Sequence, residues 1–378
     1  MLFFLLACTT TKVTDTAVMP TTCVDQTNLV STFELFPTLP TTQIHADSAF
    51  DGEWIWTVFN LPNEDGKFDV YLGAHDCAGT IVVEPEQILP ISGMNQTTPR
   101  IAISGENILV ASQGDNGSSA NNLSIHLHLQ SRDGTIITER EWTPIIEQEE
   151  TGNRWLPSIA GYDDGFWLAG AVANTQHFRT AVQQLDNEGN DVGQPFWAGP
   201  NEYAVFPNID GDATGFVVGW DTGNDSIMWT TGTGEYQNEP VEQLNAASTK
   251  VLWHGSETSP DIFANKRAPL TVQWNDSAIS QYGNTHYPNA AKGETSTLMT
   301  HFRIQSGYSN DIFMAALQEN DVWFQDELIQ SDPAVAPYRP AITHIEGNTY
   351  FVAWSQGANP DFLLAGQFIN LDAMTEVE

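Results

Sequence analysis

The sequence predicts an all-β protein, a single β-propeller with seven blades, six blades being the alternative. Three observations predict it. Segments of four to eight residues alternate apolar and polar side chains between Gly, Asn and Pro, which is typical of β-strands. A unit that opens with Pro-x-Ile recurs at intervals of about 40–58 residues, the range of propeller repeats. No stretch of useful length repeats apolar residues every 3.6 positions, so we expect few helices.

Six copies of the unit align, each an opening segment followed by an apolar strand. They are Gln43–Ala46 with Trp54–Phe59, Pro99–Ala102 with Ile108–Ser112, Pro157–Ala160 with Gly165–Ala169, Pro207–Asp210 with Gly215–Trp220, Pro260–Phe263 with Leu270–Trp274, and Pro340–Thr343 with Tyr350–Trp354. The first copy is degenerate and the fifth is weaker than the others. Roughly 80 residues separate the last two openings, about twice the shortest interval. Apolar segments at 298–302, 311–315 and 322–324 fill this gap, so we prefer seven blades.

Each copy continues with the same elements. A loop of Gly, Asn and Asp leads to an alternating strand, as at Ile125–Leu129, Ala181–Leu185 and Phe362–Gly366. In two copies a turn ending in Gly134 or Gly189 then leads to a fourth apolar strand. Four antiparallel strands per unit form a propeller blade, and a ring of blades covers the faces that one sheet leaves exposed.

The two ends of the chain predict how the ring closes. After Pro340 roughly 38 residues remain, enough for three strands but barely for a fourth. The segment Leu29–Leu35 precedes the first blade and places Leu29, Phe33 and Leu35 on one face. We therefore predict that Leu29–Leu35 is the outer strand of the last blade.

The first residues are apolar and lead to a cysteine. Leu5-Leu6-Ala7-Cys8 resembles the lipobox of bacterial lipoproteins, in which a small residue precedes a cysteine that is lipidated after cleavage. The resemblance implies lipid attachment at Cys8. The apolar stretch is short and has no basic flank, so we expect the true start to lie upstream. The alternative is a buried or free cysteine at this position.

This interpretation divides the chain into three parts. Residues 1–8 are a remnant of a lipoprotein signal, residues 9–26 are a Thr-rich solvated tether, and residues 27–378 are the propeller domain. No stretch approaches the roughly 20 apolar residues of a transmembrane helix. Contact with the membrane is therefore expected through the lipid anchor only.

Two cysteines remain once Cys8 is assigned to the lipid. An even remainder in an exported chain suggests one disulfide, Cys23 with Cys77. The bond would close a loop of about 54 residues, worth roughly 3–4 kcal/mol in the chain-entropy model. The alternative is two separate buried thiols.

With these repeats, residues 40–372 resemble bacterial surface lipoproteins that carry propeller-like repeats, with Pro-x-Ile-Ala followed by an apolar strand ending in Trp. The resemblance implies the propeller fold and a place in the bacterial cell envelope, at the outer membrane or the cell surface. It implies no particular activity. We expect a monomer.

The charge of the chain excludes one class of partner. Asp and Glu number 48 and Lys and Arg 13, so the formal net charge is −35. A nucleic acid needs a basic footprint, and this surface repels phosphate. We therefore exclude nucleic-acid binding as a main role and expect an external protein or glycan as the partner.

The 12 tryptophans have two interpretations. Trp220, Trp274 and Trp354 share one repeat position at the end of the second strand, which favours packing between adjacent blades over sugar stacking. The tryptophans outside the repeat positions are the better ligand candidates. They are Trp142, Trp155, Trp197, Trp253 and Trp323.

Arginine is scarce, and three arginines lie within three residues of a repeat proline. These are Arg100, Arg154 and Arg339. Inner strands of a propeller begin beside the central channel, so the three guanidinium groups are predicted to converge there as an anion-binding site. The arrangement loosely resembles the arginine cluster of sialidase-type propellers, whose Ser-x-Asp-x-Gly-x-x-Trp box is echoed only in part at 131–134. The alternative is ordinary ion pairing with the abundant carboxylates.

Two motifs contain residue types that bind metals. His126 and His128 lie on one face of a strand at a spacing that can ligate zinc, but a third ligand is missing, which favours a solvent-facing pair. Asn208, Asp210 and Asp212 alternate like the oxygen ligands of a calcium loop, without its glycine at the sixth position and its glutamate at the twelfth. A polar turn is the favoured interpretation. We therefore assign no metal ligand and no cofactor, with calcium as the weak alternative.

No catalytic residue is assigned. The sequence has no Gly-x-Ser-x-Gly elbow, no His-Glu-x-x-His and no phosphate-binding Gly-Lys-Ser/Thr loop. The leading hypothesis is a non-catalytic, lipid-anchored propeller that binds or scaffolds an external protein or glycan. The alternative is a glycoside hydrolase or lyase acting on an anionic polysaccharide, with the arginines as the substrate anchor. A structural role in the envelope is the third hypothesis.

Overall fold

The computed structural model describes residues 32–374 with short gaps. The gaps are 92, 116–122, 147–148, 151, 174–177, 200–202, 224–225, 234–236, 256–259, 268–269, 276, 281–284, 305–309, 319–320, 333–339 and 359–360. Within these bounds the fold is all-β. The one helix of the described residues, α1 (Leu371–Met374), forms a single turn, and none is long and apolar enough to cross a membrane.

Thirty strands are described. In chain order they are β1 (Phe33–Glu34), β2 (Ile44–Phe50), β3 (Ile55–Pro62), β4 (Phe68–His75), β5 (Ile81–Ile88), β6 (Asn95–Ser104), β7 (Asn107–Asp115), β8 (Leu123–Ser131), β9 (Ile136–Trp142), β10 (Ile145–Ile146), β11 (Glu149–Glu150), β12 (Arg154–Tyr162), β13 (Gly165–Ala173), β14 (Phe178–Asp186), β15 (Asp191–Trp197), β16 (Val205–Asp212), β17 (Gly215–Asp221), β18 (Ser226–Gly232), β19 (Val241–Leu244), β20 (Ala246–Leu252), β21 (Asp261–Arg267), β22 (Leu270–Trp274), β23 (Ser277–Ala278), β24 (Thr285–Lys292), β25 (Ser296–Ile304), β26 (Asn310–Gln318), β27 (Asp321–Asp332), β28 (Ala341–Glu346), β29 (Thr349–Ala358) and β30 (Asp361–Asn370).

These strands form a seven-bladed β-propeller, as predicted. Blades 1 to 6 are the four-stranded antiparallel sheets β2–β5, β6–β9, β12–β15, β16–β19, β20–β23 and β24–β27. Blade 7 contains β28, β29, β30 and β1, and the short β10 and β11 pair separately. The first strand of each blade contacts the first strands of its two neighbours, and β28 contacts β2. The ring is therefore closed, with the first strands around its axis.

Closure by the N-terminal segment is confirmed for its described residues. Phe33 pairs with Gly366 of β30, so β1 is the outer strand of blade 7. The N–H of Leu35 donates to the carbonyl of Leu364 at 2.9 Å. The Phe33 ring stacks on Phe368 with 6.1 Å between centroids. The two ends of the chain thus share one blade. Residues 29–31 of the predicted strand lie outside the described residues.

The inner strands share a β-bulge that explains the repeat proline. In six blades the pairing between the first two strands shifts at the same place, between Ile44 and Asp47, Thr97 and Arg100, Trp155 and Ser158, Val205 and Asn208, Ala247 and Lys250, and His286 and Asn289. At the bulge Thr98, Leu156 and Phe206 have positive φ, and each directly precedes a proline. Proline has no N–H to donate to a ladder, so a bulge is a position that tolerates it.

The core consists of apolar layers between neighbouring blades. One layer joins Trp167 and Ala169 of blade 3 to Phe216 and Trp220 of blade 4. Trp220 and Trp354 are 1 % and 0 % exposed, which confirms the packing interpretation for these two. Where two inner strands approach most closely, a side chain does not fit: a Cβ on Gly161 would lie 1.9 Å from the carbonyl oxygen of Ile103.

The alignment of the fifth copy is wrong by one strand. Asp261–Arg267 is the second strand of blade 5, and the inner strand is β20, which contains no proline. Trp274 consequently ends a third strand, so it does not share the repeat position of Trp220 and Trp354. Pro260 resembled the repeat proline because it also precedes an apolar strand.

Cys77 lies in the turn that follows β4. It is 5 % exposed and belongs to the apolar cluster that includes Leu35 and Phe36 beside the closing strand. Cys8 and Cys23 lie outside the described residues, so lipid attachment and the Cys23–Cys77 pairing stay predictions, as does the division at residues 8 and 26.

Candidate functional site

A cavity of about 340 Å³ lies on the axis of the ring. Inner strands of six blades line it. The residue that follows each bulge contributes a polar side chain to the lining in every one of these blades. We call this set the axial ring: Asp47, Arg100, Ser158, Asn208, Lys250 and Asn289. The repeat therefore places chemically different side chains at equivalent positions around one cavity.

Four members of the axial ring bind the next blade. Asn289 Nδ2 donates to the carbonyl of Pro340 at 2.8 Å, and three others accept backbone N–H groups. Asp47 Oδ2 accepts the N–H of Ile101 at 3.2 Å. Ser158 Oγ accepts the N–H of Ile209 at 3.1 Å, and Asn208 Oδ1 accepts the N–H of the residue after Lys250 at 2.9 Å. In each of these three cases the acceptor is the side chain after one bulge and the donor is the backbone two residues past the proline position of the next blade. These bonds satisfy inner-edge N–H groups that no further strand pairs with.

Arg100 and Lys250 differ from the other members because they are cations and cannot accept such a bond. They lie among carboxylates. Burial raises the pKa of Asp47, and the charges of Arg100 and Lys250 oppose that rise. Burial likewise raises the pKa of Asp210, again opposed by Lys250. The pKa of Lys250 is lowered by burial and held up by both carboxylates. Asp221 also lines the cavity, so the two cations lie among three carboxylates at the axis of a chain whose net charge is −35.

Two hydroxyl groups in the cavity lining have no partner among the described residues. Thr98 Oγ1 and Thr249 Oγ1 are shielded from solvent and make no hydrogen bond. A buried polar group without a partner costs about 1–3 kcal/mol. Both threonines line the cavity, so a rotation about χ1 can direct either hydroxyl toward a polar ligand there.

The three arginines predicted to converge occupy different positions of the repeat. Arg100 follows its proline and lines the cavity. Arg154 precedes its proline by three residues, is 9 % exposed and pairs with Glu141 on the outer strand of blade 2. Arg339 precedes its proline directly and lies outside the described residues. The β-bulge interrupts the alternation of side chains along these strands. Arg154 lies before the bulge and Arg100 after it, and Arg154 meets a carboxylate that is not among the residues that line the cavity.

Sequence analysis missed Asp47 and Lys250. Both occupy the position after the bulge, but in their blades the preceding residue is Ala46 or Thr249 instead of proline. Aligning the copies by the bulge position, with blade 5 placed one strand earlier, would have found them.

Of the predicted ligand tryptophans, Trp155 is the nearest along the chain to a cavity residue, although it is not among the lining residues itself. It precedes the cavity-lining Leu156 and is half-buried. Its ring contacts Phe178 edge-on at 5.5 Å between centroids, and Phe178 contacts Tyr203 at 5.5 Å. Trp142 and Trp253 are 0 % and 6 % exposed and belong to the core, so their assignment as ligand candidates is wrong.

The remaining two candidates have other surroundings. The guanidinium of Arg179 lies over the ring of Trp197, with 4.9 Å between Arg179 Cζ and the ring centroid. Trp323 packs against the apolar cluster between blades 6 and 7. Neither is among the residues that line the axial cavity.

The histidine pair is buried, which corrects the expectation of a solvent-facing pair. His126 and His128 are 7 % and 1 % exposed. His126 Nε2 bonds Ser124 Oγ at 2.7 Å. His128 bonds Glu139 through Nδ1 at 2.7 Å and Gln130 through Nε2 at 2.8 Å. These nitrogens serve a polar network within blade 2.

The calcium-like segment also has other partners. Asn208 and Asp210 accept backbone N–H groups of blade 5, and Asp212 Oδ1 accepts the N–H of Thr214 at 2.7 Å in the turn that follows β16. Over the part of the chain that the structure covers, no three His, Cys, Asp or Glu side chains come together as a metal site.

Comparisons with known proteins support the fold. No protein-family model and no characterised protein matches the sequence. A protein of unknown function from Dyadobacter fermentans superposes with a TM-score of 0.56 at 10 % identity, over 90 % of this chain and 97 % of that one. Trypanosoma rangeli sialidase, solved with the inhibitor DANA, gives a TM-score of 0.56 at 9 % identity over 92 % of this chain and 59 % of its own. At these identities the likeness shows a shared propeller-type fold and nothing finer.

Proposed function

We propose that the protein is a non-catalytic binding propeller of the bacterial cell envelope that receives an external glycan in its axial cavity. The observation that carries the proposal is the axial ring, in which Arg100 and Lys250 lie beside the unpartnered hydroxyls of Thr98 and Thr249 in a cavity of about 340 Å³. Cavities of this size suit one or two sugar rings better than a folded partner. The cations favour a sugar that carries a carboxylate.

The charge distribution supports a site at the axis. The chain as a whole carries a large negative charge, but among the residues that line the cavity Arg100 and Lys250 offset Asp47 and Asp221. An acidic sugar therefore meets two cations there in a chain that has few. The guanidinium of Arg100 can bind a carboxylate through two parallel hydrogen bonds.

The lipid anchor is part of the proposal. A lipid on Cys8 and a tether over residues 9–26 would hold the propeller off the membrane with its N-terminal strand in blade 7. A Cys23–Cys77 disulfide would fix the tether beside that strand, because Cys77 packs near Leu35. Metabolic labelling with a palmitate analogue, lost in Cys8→Ser, tests the anchor. Peptide mapping without reductant tests the disulfide.

An array of neutral and acidic glycans, followed by titration of the tightest binder, tests the proposed function. Arg100→Gln should weaken binding about 10- to 100-fold, because a hydrogen bond to a charged group contributes roughly 1.5–3 kcal/mol. Arg132→Gln is the matched control, since Arg132 pairs with Asp51 and Glu53 and does not line the cavity. Equal loss in both variants, or no binding of any glycan by the unmodified protein, would contradict the proposal.

A second candidate function is hydrolysis or lysis of an anionic polysaccharide. It is favoured by the raised pKa of Asp47, which lines the cavity, and of Asp210, two residues beyond the lining residue Asn208, since perturbed carboxyls at a cavity are typical of acid–base catalysis. Against it, both carboxylates accept backbone N–H groups of the next blade and so have a structural role. Release of reducing ends from acidic polysaccharides, abolished in Asp47→Asn while the fold is kept, would establish the enzyme.

A further inference from the structure

Three aromatic side chains form a connected group at the face where the inner strands begin. Trp155 lies at the start of β12, Phe178 at the start of β14 and Tyr203 just before β16. The Trp155 and Phe178 rings are nearly perpendicular, at 78°, and the Phe178 and Tyr203 rings are tilted by 56°. We call these three residues the aromatic corner. Its rings hold one another at fixed angles, so little side-chain entropy remains to be lost on binding.

The aromatic corner adjoins the mouth of the axial cavity. Trp155 is followed directly by Leu156, and Tyr203 precedes Phe206 by three residues. Leu156 and Phe206 both line the cavity. The N–H of the residue after Tyr203 donates to the carbonyl of Phe178 at 2.9 Å, which ties the two blades together here. A ligand that leaves the cavity on this side meets the aromatic corner next.

The exposed apolar side chains are not spread evenly over the molecule. Among the described residues, the exposed large aliphatic side chains lie in the outer strands of blades, singly or in pairs: Val82, Ile136, Ile137, Val192, Val241, Leu244, Val322 and Leu328. The exposed aromatic side chains of the same residues are Phe178, Tyr203 and Phe206. Phe206 lines the cavity, and Phe178 and Tyr203 belong to the aromatic corner. Isolated aliphatics on a surface are common and need no ligand. A group of aromatics beside a polar cavity is typical of a binding site.

We propose that the aromatic corner is a sugar-stacking subsite, so that the ligand is an oligosaccharide of at least two units. The proposal rests on the proposed function and adds to it the length of the ligand and the chemistry of its second unit. One unit occupies the axial cavity, and the next lays the C–H groups of its ring against an aromatic face. Those C–H groups are apolar and weakly positive, and the face of an aromatic ring is weakly negative. The same negative faces disfavour a carboxylate, so the stacked unit is uncharged.

The test compares one sugar with its oligomers. The monomers titrated are glucose, glucuronic acid and galacturonic acid. The oligomers are cellotetraose, tetragalacturonate and the mixed glucose–glucuronic acid disaccharide, and each is titrated into the unmodified protein and the variants Trp155→Ala and Tyr203→Ala. Each variant should weaken the binding of the preferred oligomer about tenfold and leave binding of its cavity unit alone unchanged. Tyr203 is 47 % exposed, so its removal leaves the fold intact even where removal of Trp155 does not.

Trp54→Ala is the matched control. Trp54 is also a half-buried tryptophan, and it lies under Arg132 in the turn between the first two strands of blade 1, at the other end of the inner strand. The Trp54→Ala variant should bind the oligomer as tightly as the unmodified protein does. Two results would overturn the subsite and leave the proposed function standing. In the first, the oligomer binds no more tightly than its monomer. In the second, Tyr203→Ala binds the oligomer as tightly as the unmodified protein, whereas Arg100→Gln no longer binds it. Absence of binding to every probe and to the glycan array overturns both.

Discussion

The residue after each bulge shows how one backbone position can serve two purposes. Where it is Asp47, Ser158 or Asn208, the side chain accepts an N–H from the next blade and closes a junction. Where it is Arg100 or Lys250, no acceptor is present and the side chain is left to interact with carboxylates at the axis. Two junctions between blades can lack this hydrogen bond because the apolar layers between the blades supply most of the stabilisation. Function can therefore be placed at this position without loss of the ring.

His75 predicts how stability depends on pH. It is 0 % exposed, and its Nε2–H donates to the carbonyl of Leu35 at 2.5 Å, whereas Nδ1 has no partner among the described residues. Burial holds the pKa of His75 below its ordinary value of 6.5. The unfolded chain then binds a proton at a higher pH than the folded chain, so the free energy of unfolding should fall as the pH drops from 6.5 toward the lowered pKa. Urea unfolding at a series of pH values measures it.

His75→Gln is the matched variant for this prediction, because a glutamine amide can still donate to Leu35 and does not titrate. Its loss of stability between pH 7 and pH 5 should be smaller than that of the unmodified protein. A remaining slope is expected from His126, whose pKa burial also lowers. An identical slope in both proteins would show that His75 does not govern the acid sensitivity of the closing blade.

At the scale of strands, the closing blade depends on a very short element. Among the described residues, Phe33 and Glu34 form the ladder pairs with β30, and the residues that follow them are among the most buried of the molecule. Leu35 and Phe36 are 0 % and 1 % exposed and pack with residues of blades 1 and 7. Two ladder pairs alone would not hold a strand in place, so apolar burial next to it supplies the closure.

Leu35→Ala should destabilise the whole propeller. Truncation of a fully buried leucine costs about 2–5 kcal/mol, through lost burial and the cavity left behind. Because Leu35 lies between the first and last blades, the loss should lower the midpoint of the single unfolding transition measured by circular dichroism. Thr32→Ala is the control, since Thr32 is exposed and its hydroxyl makes one long hydrogen bond, to Gln367 at 3.4 Å, within the described part of the chain. Equal midpoints for Leu35→Ala and the unmodified protein would contradict closure through this segment.

The elements that sequence analysis located are those whose signal is local. Alternation and the bulge proline identify the inner strands of blades 2, 3 and 4, because the bulge tolerates a residue without an N–H; in blade 7 the proline directly precedes the inner strand. Blade 5 has Ala247–Thr249 at its bulge, so its inner strand was missed and Pro260, which precedes its second strand, was aligned instead. The axial ring was found only in part for the same reason. The ion pair between Arg154 and Glu141 depends on how blades 2 and 3 pack against each other. A local sequence pattern does not reveal that packing.

At the scale of the whole molecule, acidic charge is distributed around a ring that has few cations to offset it. Thirteen Lys and Arg can neutralise at most 13 of the 48 Asp and Glu, which leaves the net charge of −35. Two of the cations, Arg100 and Lys250, are placed at the axis, and Arg154 is nearly buried beside Glu141. The outer surface is thus more acidic than the average composition indicates. A compact state must bear the repulsion, and the unfolded chain relieves it by expanding.

Salt should therefore stabilise the protein. The Debye length falls from about 30 Å at 0.01 M to about 3 Å at 1 M, so repulsion across the surface is screened as NaCl is added. We expect the melting temperature to rise by a few degrees, with most of the rise below about 0.3 M, where screening changes fastest. Choline chloride at equal ionic strength is the control: the same rise means screening, whereas a rise with Na⁺ alone means a bound cation. The same salt also weakens the ion pairs at the axis. A flat or falling curve would therefore show that repulsion between carboxylates does not outweigh those ion pairs in the free energy of unfolding.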